Sequence, residues 1–178
     1  MGFSAMSFES DILLQPFYPT VTMGSPIRSP MRVTQLFAEN PLTYQSLGYR
    51  GHNGLDFGTP IGTPITAIDY GRVIQARNDP PGYGKYVKIQ HSWGVSLYAH
   101  LHSLHSIEGE SIARGQVIGE SGNSGFSTGA HLHFEIRVNP ITENGFGGRV
   151  DPLPFIDRTF CTFLPYVPTE LRDRLIAH

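Results

Sequence analysis

From Met31 onward, apolar residues come in short runs separated by Gly, Pro, Asn or Ser: MRVTQLF (31–37), TPITAIDYGRVIQAR (63–77), KYVKIQHS (85–92), VSLYAHL (95–101), GQVIGE (115–120) and HLHFEIRVN (131–139). Runs of this length, rich in Val, Ile, Tyr and Phe and closed by turn residues, predict strands rather than helices. The connection Ser92-Trp93-Gly94 is short enough for a hairpin. In a pleated strand alternate side chains share a face, so His131, His133, Glu135 and Arg137 fall on one side of the last run and Leu132, Phe134, Ile136 and Val138 on the other. The same rule puts Val95, Leu97, Ala99 and Leu101 on one face of the 95–101 run, and Ser96, Tyr98, His100 and His102 on the opposite one.

Either end of the chain departs from this pattern. Residues 1–30 carry Pro16, Pro19, Pro26 and Pro30 with little periodicity, which predicts an extended N-terminal arm, laid on the domain or left free of it. The domain proper is expected over 31–157. In the tail, 158–178, Thr169 is a suitable N-cap and Leu171 and Leu175 are four apart, so a short C-terminal helix is expected.

Composition narrows the class. The chain has 178 residues, enough for one core, and 20 glycines and 14 prolines, which suit many strands and tight turns. A net charge of -2 gives no basic surface, so no nucleic-acid partner is expected. No run is long enough for membrane insertion, and no export signal is readable: no Lys or Arg precedes Arg28, and Ile12 to Leu14 is too short an apolar core. Cys161 is the only cysteine, which rules out an intramolecular disulfide.

The eight histidines carry the candidate chemistry. In YRGHNGLDFG (49–58), His52 and Asp56 are four apart among glycines that disfavour a helix. Fully extended, those four residues span about 13 Å, so a bend at Asn53-Gly54 brings the pair within reach of one ion. His131 and His133 on one strand face, with His100 on another, complete a set of imidazole and carboxylate groups suited to zinc. Four ligands would make a closed structural site, and three would leave a position for water. Spacing alone does not choose between them.

Four ordered blocks, GHNGLDFG, YGKYVKIQHSWGVSLYAHL, IARGQVIGESGNSGFSTGAHLHFEIR and VDPLPFI, resemble the lysostaphin/LytM-type zinc endopeptidases, which cut peptide bonds in bacterial cell walls. The resemblance covers about residues 31–157. It implies a mainly β fold with an antiparallel sheet groove, one Zn2+ per chain held by His52, Asp56 and His133, and His100 and His131 as catalytic residues on the open side. The substrate it implies is a peptidoglycan peptide in the cell wall, outside the cytoplasm; with no readable export signal, a phage-encoded or other route of delivery is expected. Zinc with three protein ligands lowers the pKa of its water to about 7 and polarises a carbonyl. No HExxH sequence is present, so a histidine has to act as the base. Glu135 competes for that role but is better read as a structural hydrogen-bond partner. Gly122, Gly125 and Gly129 suggest flexible backbone near a substrate groove, with Ser127 and Thr128 as donors there or as turn residues. His91, His102, His105 and His178 are assigned to the surface or to secondary positions.

Rival readings are weaker. A non-haem iron oxygenase uses two histidines and a carboxylate, with a closer ligand pair than His52 and Asp56. A cysteine peptidase needs an activated Cys161, and only His178 follows it in sequence. A non-catalytic peptidoglycan-binding or hydrolase-activating module of the same fold is the third. Oligomeric state and the bond cut are not legible.

Overall fold

The computed structural model describes residues 23–46, 48–159 and 161–163. The predicted terminal helix at 168–178 and most of the arm lie outside them. The described residues form ten strands and one short helix: β1 (Met31–Gln35), α1 (Pro41–Gln45), β2 (Leu55–Gly58), β3 (Pro64–Thr66), β4 (Gly71–Asp79), β5 (Gly84–Gln90), β6 (Gly94–Leu104), β7 (Ser111–Ile112), β8 (Val117–Ser121), β9 (His131–Val138) and β10 (Cys161–Phe163). The order β10-β1-β2-β9-β6-β5-β4-β7 makes one sheet, with β8 pairing both β3 and the far half of β6. Every pair of named strands is antiparallel except β1 with β10, so the mainly β antiparallel expectation holds.

Several predicted strands change shape. The 63–77 run is two strands, because the chain bends at 68–70 before Gly71, where a Cβ would stand 2.5 Å from the Gln90 carbonyl. The strands β2, β7 and β10 and the helix α1 carry no strong period and escaped the pattern. The hairpin at 92–94 is present, closed by the His91 amide donating to the Gly94 carbonyl at 2.8 Å.

The core lies on one face, where Leu55 and Phe57 of β2 stand opposite Phe134 and Leu132 of β9. Met23 and Ile27, N-terminal of Met31, belong to this same core. Met23 bridges to Ile156 and its amide donates to Phe155 O at 2.8 Å, so residues 23–27 lie along the domain as packed chain. Burying side chains of this size contributes about 1.5–3 kcal/mol each.

The face assignment for β6 is corrected. Tyr98 pairs with Phe134 across the sheet and is fully buried in the core, with its hydroxyl accepting the Ile68 amide at 3.0 Å. Ser96 is buried on that side too, whereas Leu97 and Ala99 stand opposite Glu135 and His133. Between Ala99 and Leu101 the alternation slips: His100 has φ 60, and the β5–β6 register shifts there. A bulge of this kind moves the residues after it to the other face, so Leu101 enters the core with Tyr98. His100 reaches the polar face because of that left-handed residue, and not by simple alternation.

Candidate metal centre

β2 and β9 build the centre. Asp56 stands opposite His133 and Gly58 opposite His131, so all three polar side chains leave the sheet on the face away from the core. His52 arrives from the segment before β2, tied to the β1–β2 loop by two backbone bonds: Ala38 N–H to His52 O and His52 N–H to Glu39 O, both 2.8 Å. The bend at 53–54 is where the sequence placed it, and Gly54 is required for packing. A Cβ there would stand 2.6 Å from both His133 Cε1 and the Phe134 carbonyl.

One donor atom from each of His52, Asp56 and His133 lies within 4.8 Å of the others. His52 Nε2 is 3.1 Å from Asp56 Oδ1 and 3.0 Å from His133 Nδ1, which is itself 2.8 Å from Asp56 Oδ1. The outer nitrogens decide what these atoms are. His52 Nδ1 lies 3.0 Å from the Leu36 carbonyl, and His133 Nε2 3.2 Å from Glu135 Oε1. Both partners accept, so both outer nitrogens carry the proton, and each neutral ring turns a lone pair inward. Two imidazole lone pairs and a carboxylate oxygen then converge with nothing but acceptors between them. Such a set is repulsive unless a cation sits in it, and its N, N, O donors suit a borderline divalent metal such as zinc.

Electrostatics show the same tension. Burial alone raises the Asp56 carboxyl, but hydrogen bonds and charge from His133 and His52 outweigh it and hold the group well below the usual carboxylate range. Burial alone lowers His133, yet Asp56 and Glu135 push it up to about 9.

His100 and His131 flank the cluster, their ring centroids 4.7 Å apart, and His100 is 5.8 Å from His133. His100 Nδ1–H donates to Ser124 O at 2.8 Å and His131 Nδ1–H to Gly129 O at 2.8 Å, leaving each Nε2 unprotonated in the neutral ring. His131 Nε2 lies 3.7 Å from Asp56 Oδ2. Burial, then the neighbouring His133 and His131 charges, drive His100 down to about 4. The five predicted site residues therefore gather on one patch of the sheet.

Other predictions fare differently. Ser127 Oγ, 2.6 Å from Asn123 Oδ1 and 3.2 Å from His131 Nδ1, belongs to the turn that seats His131. Gly122 and Gly125 are packed against backbone at His102 and Gly84, so only Gly129 is open as expected. His102 and His105 are exposed, but His91 is buried, bonded to Tyr70 O and Ser96 Oγ and stacked on Trp93. Missed by sequence reasoning were Tyr44, whose ring is 5.4 Å from His52, and Tyr83 and Arg149, which meet Glu135. None sits in a periodic run, and only folding brings them to the site.

The profile of Peptidase family M23 matches residues 50–152. The chain belongs to peptidase family M23. Its M23 domain is 40% identical to the peptidoglycan DD-endopeptidase ShyA of Vibrio cholerae over 114 residues, 64% of this chain and 26% of that protein. The antimicrobial peptidase lysostaphin from Staphylococcus simulans superposes with a TM-score of 0.63 at 29% identity, over 76% of this chain and 53% of the other. A zinc-containing peptidase from Vibrio cholerae superposes at 0.59 with 34% identity, over 73% and 39%. This M23 chain thus spans only a minor part of the curated relative it matches. No helix among its described residues is long and apolar enough to cross a membrane.

Proposed function

We propose that the chain is a zinc-dependent endopeptidase that hydrolyses peptide bonds in the cross-links of bacterial cell-wall peptidoglycan, acting outside the cytoplasm. The observation that carries this reading is the convergence of His52 Nε2, Asp56 Oδ1 and His133 Nδ1 as three acceptors, with His100 and His131 beside them. A relative named as a peptidoglycan DD-endopeptidase and another named as a DD-carboxypeptidase/endopeptidase support the substrate class.

His52, Asp56 and His133 would hold one Zn2+. Zinc bound by three protein ligands acidifies a coordinated water to a pKa of about 7 and polarises a carbonyl oxygen. The remaining work falls to the two histidines. His100, neutral because its pKa is held near 4, takes up a proton at Nε2 from the attacking water and returns it to the leaving amine. His131, half-buried and fixed through Nδ1, presents Nε2 to the same space as a second acceptor for the water's proton. Glu135 is fully enclosed and bonded to four side chains, which removes it as a base.

Mass spectrometry of purified peptidoglycan after incubation with zinc-loaded, chelated and zinc-restored protein tests the reading. New peptide termini that vanish with chelator and return with zinc are expected, and they identify the bond. Wall left intact by protein that holds one zinc per chain would favour a binding or hydrolase-activating module.

A further inference from the structure

Glu135 is 1% exposed, yet it is surrounded by donors. Its Oε1 accepts from Asn53 Nδ2 at 2.7 Å, from the Tyr83 hydroxyl at 2.6 Å and from His133 Nε2 at 3.2 Å. Its Oε2 accepts from Arg149 Nε at 2.5 Å, with Arg137 at 3.8 Å. Arg149 is itself buried, donates to the Tyr83 hydroxyl at 2.7 Å and is anchored to Phe146 O at 2.9 Å. The proton directions are therefore fixed throughout: Arg149 donates to Tyr83 and Glu135, Tyr83 donates to Glu135, and His133 has to donate as well.

We propose that Glu135 and Arg149 are a positioning pair for His133, with Glu135 holding the Nε2 proton so that Nδ1 faces His52 and Asp56, and Arg149 locking the carboxylate from the segment after β9. This inference rests on the reading of His52, Asp56 and His133 as the zinc ligands. Removing one partner of a buried ion pair leaves an uncompensated charge, so a loss of stability would follow whatever role the pair has. Here three features point beyond stability. The carboxylate contacts the outer nitrogen of one particular ligand ring, its other oxygen is saturated by Arg149, and Asn53, which lies next to His52, bonds the same oxygen as His133. Outer partners of this kind change metal affinity by about 10- to 100-fold when removed.

The test compares wild type, Glu135→Gln, Tyr83→Phe and the double variant Glu135→Gln/Arg149→Gln. Zinc affinity is read by competition with a chromophoric chelator, thermal unfolding is read on the metal-free proteins, and the absorption bands of the cobalt-substituted proteins report ligand geometry. Glu135→Gln is expected to bind zinc about 10- to 100-fold more weakly with altered cobalt bands. The double variant, which restores charge neutrality, should recover much of the unfolding temperature while its zinc affinity stays low. If Glu135→Gln fails to fold, Tyr83→Phe, which removes one donor at nearly constant volume, should still weaken zinc severalfold. Wild-type zinc affinity in the single variants, or an affinity that returns together with stability in the double variant, would overturn the positioning role. A wild-type protein that binds no zinc would instead overturn the metal reading on which it rests.

Discussion

His52 Nε2 and His133 Nδ1 stand 3.0 Å apart although 81 positions separate them in the chain. One ring is set by the Leu36 carbonyl and the other by Glu135, so each directs a lone pair at the other across Asp56. Closeness between two acceptors is unfavourable in itself, and a cation relieves it.

Metal loading should therefore stabilise the fold. At free zinc about a thousandfold above its Kd, the gain is about 4 kcal/mol, visible as a rise in Tm that a chelator reverses. Asp56→Ala removes the shared oxygen and should lose this zinc-dependent rise, measured by thermal unfolding with and without metal.

Removing either flanking histidine should separate binding from turnover. His100→Ala and His131→Ala are expected to lower hydrolysis of peptidoglycan by about 10²- to 10⁴-fold while zinc binding is largely kept. Turnover is measured by release of new amino termini, and an unchanged rate in His131→Ala would refute the division of roles.

The pH dependence follows from His100. Its pKa is about 4 in the folded chain, against an ordinary value of 6.5. The unfolded chain binds the extra proton between these values, so the contribution of His100 to stability is complete above about pH 6.5 and is lost as pH falls to about 4. His133, raised to about 9, works the other way in the metal-free protein: its contribution is present below 6.5 and is lost as pH rises through 9. Urea midpoints for metal-free wild type and His100→Gln, taken from pH 7 to pH 4, should converge towards the acid end if this is right.

Gly54 gives a steric test. Gly54→Ala forces a Cβ to within 2.6 Å of His133 Cε1 and of the Phe134 carbonyl. Displacing them should cost about 1–3 kcal/mol of stability in urea titration, and zinc affinity should fall with it.

Cys161 should be inert. Burial raises its thiol to about 11, with Arg158 opposing only in part. In the sheet, β1 lies between β10 and the β2 strand that holds Asp56. Iodoacetamide at neutral pH should alkylate it slowly, and Cys161→Ser should hydrolyse peptidoglycan at the wild-type rate.

Much of this molecule was readable before folding. Period-two alternation over 131–138 separates Leu132, Phe134 and Ile136, which enter the core, from His131, His133 and Glu135, because a regular strand has no means of sending neighbours to one face. The Asn53-Gly54 bend and the four-residue spacing of His52 and Asp56 were likewise local features, whereas the full set of five histidine and aspartate residues came from the family resemblance. Elsewhere the alternation rule failed at one residue. His100, with φ 60, breaks the period, so Tyr98 and Ser96 are buried and His100 alone of that set reaches the site. A bulge is selected by pairing with β5 and β8, which no window of sequence contains.

The sequence by itself determined the strand-rich class, the polar face of β9 and a supply of imidazole and carboxylate groups of the types that bind a metal. Only the tertiary structure decided which ring nitrogens turn inward, since that depends on Leu36 O and Glu135 as acceptors, and on Tyr83 and Arg149 arriving from distant segments. Side-chain type fixes which atoms can bind a cation, whereas tautomer and direction are set by hydrogen bonds across the fold.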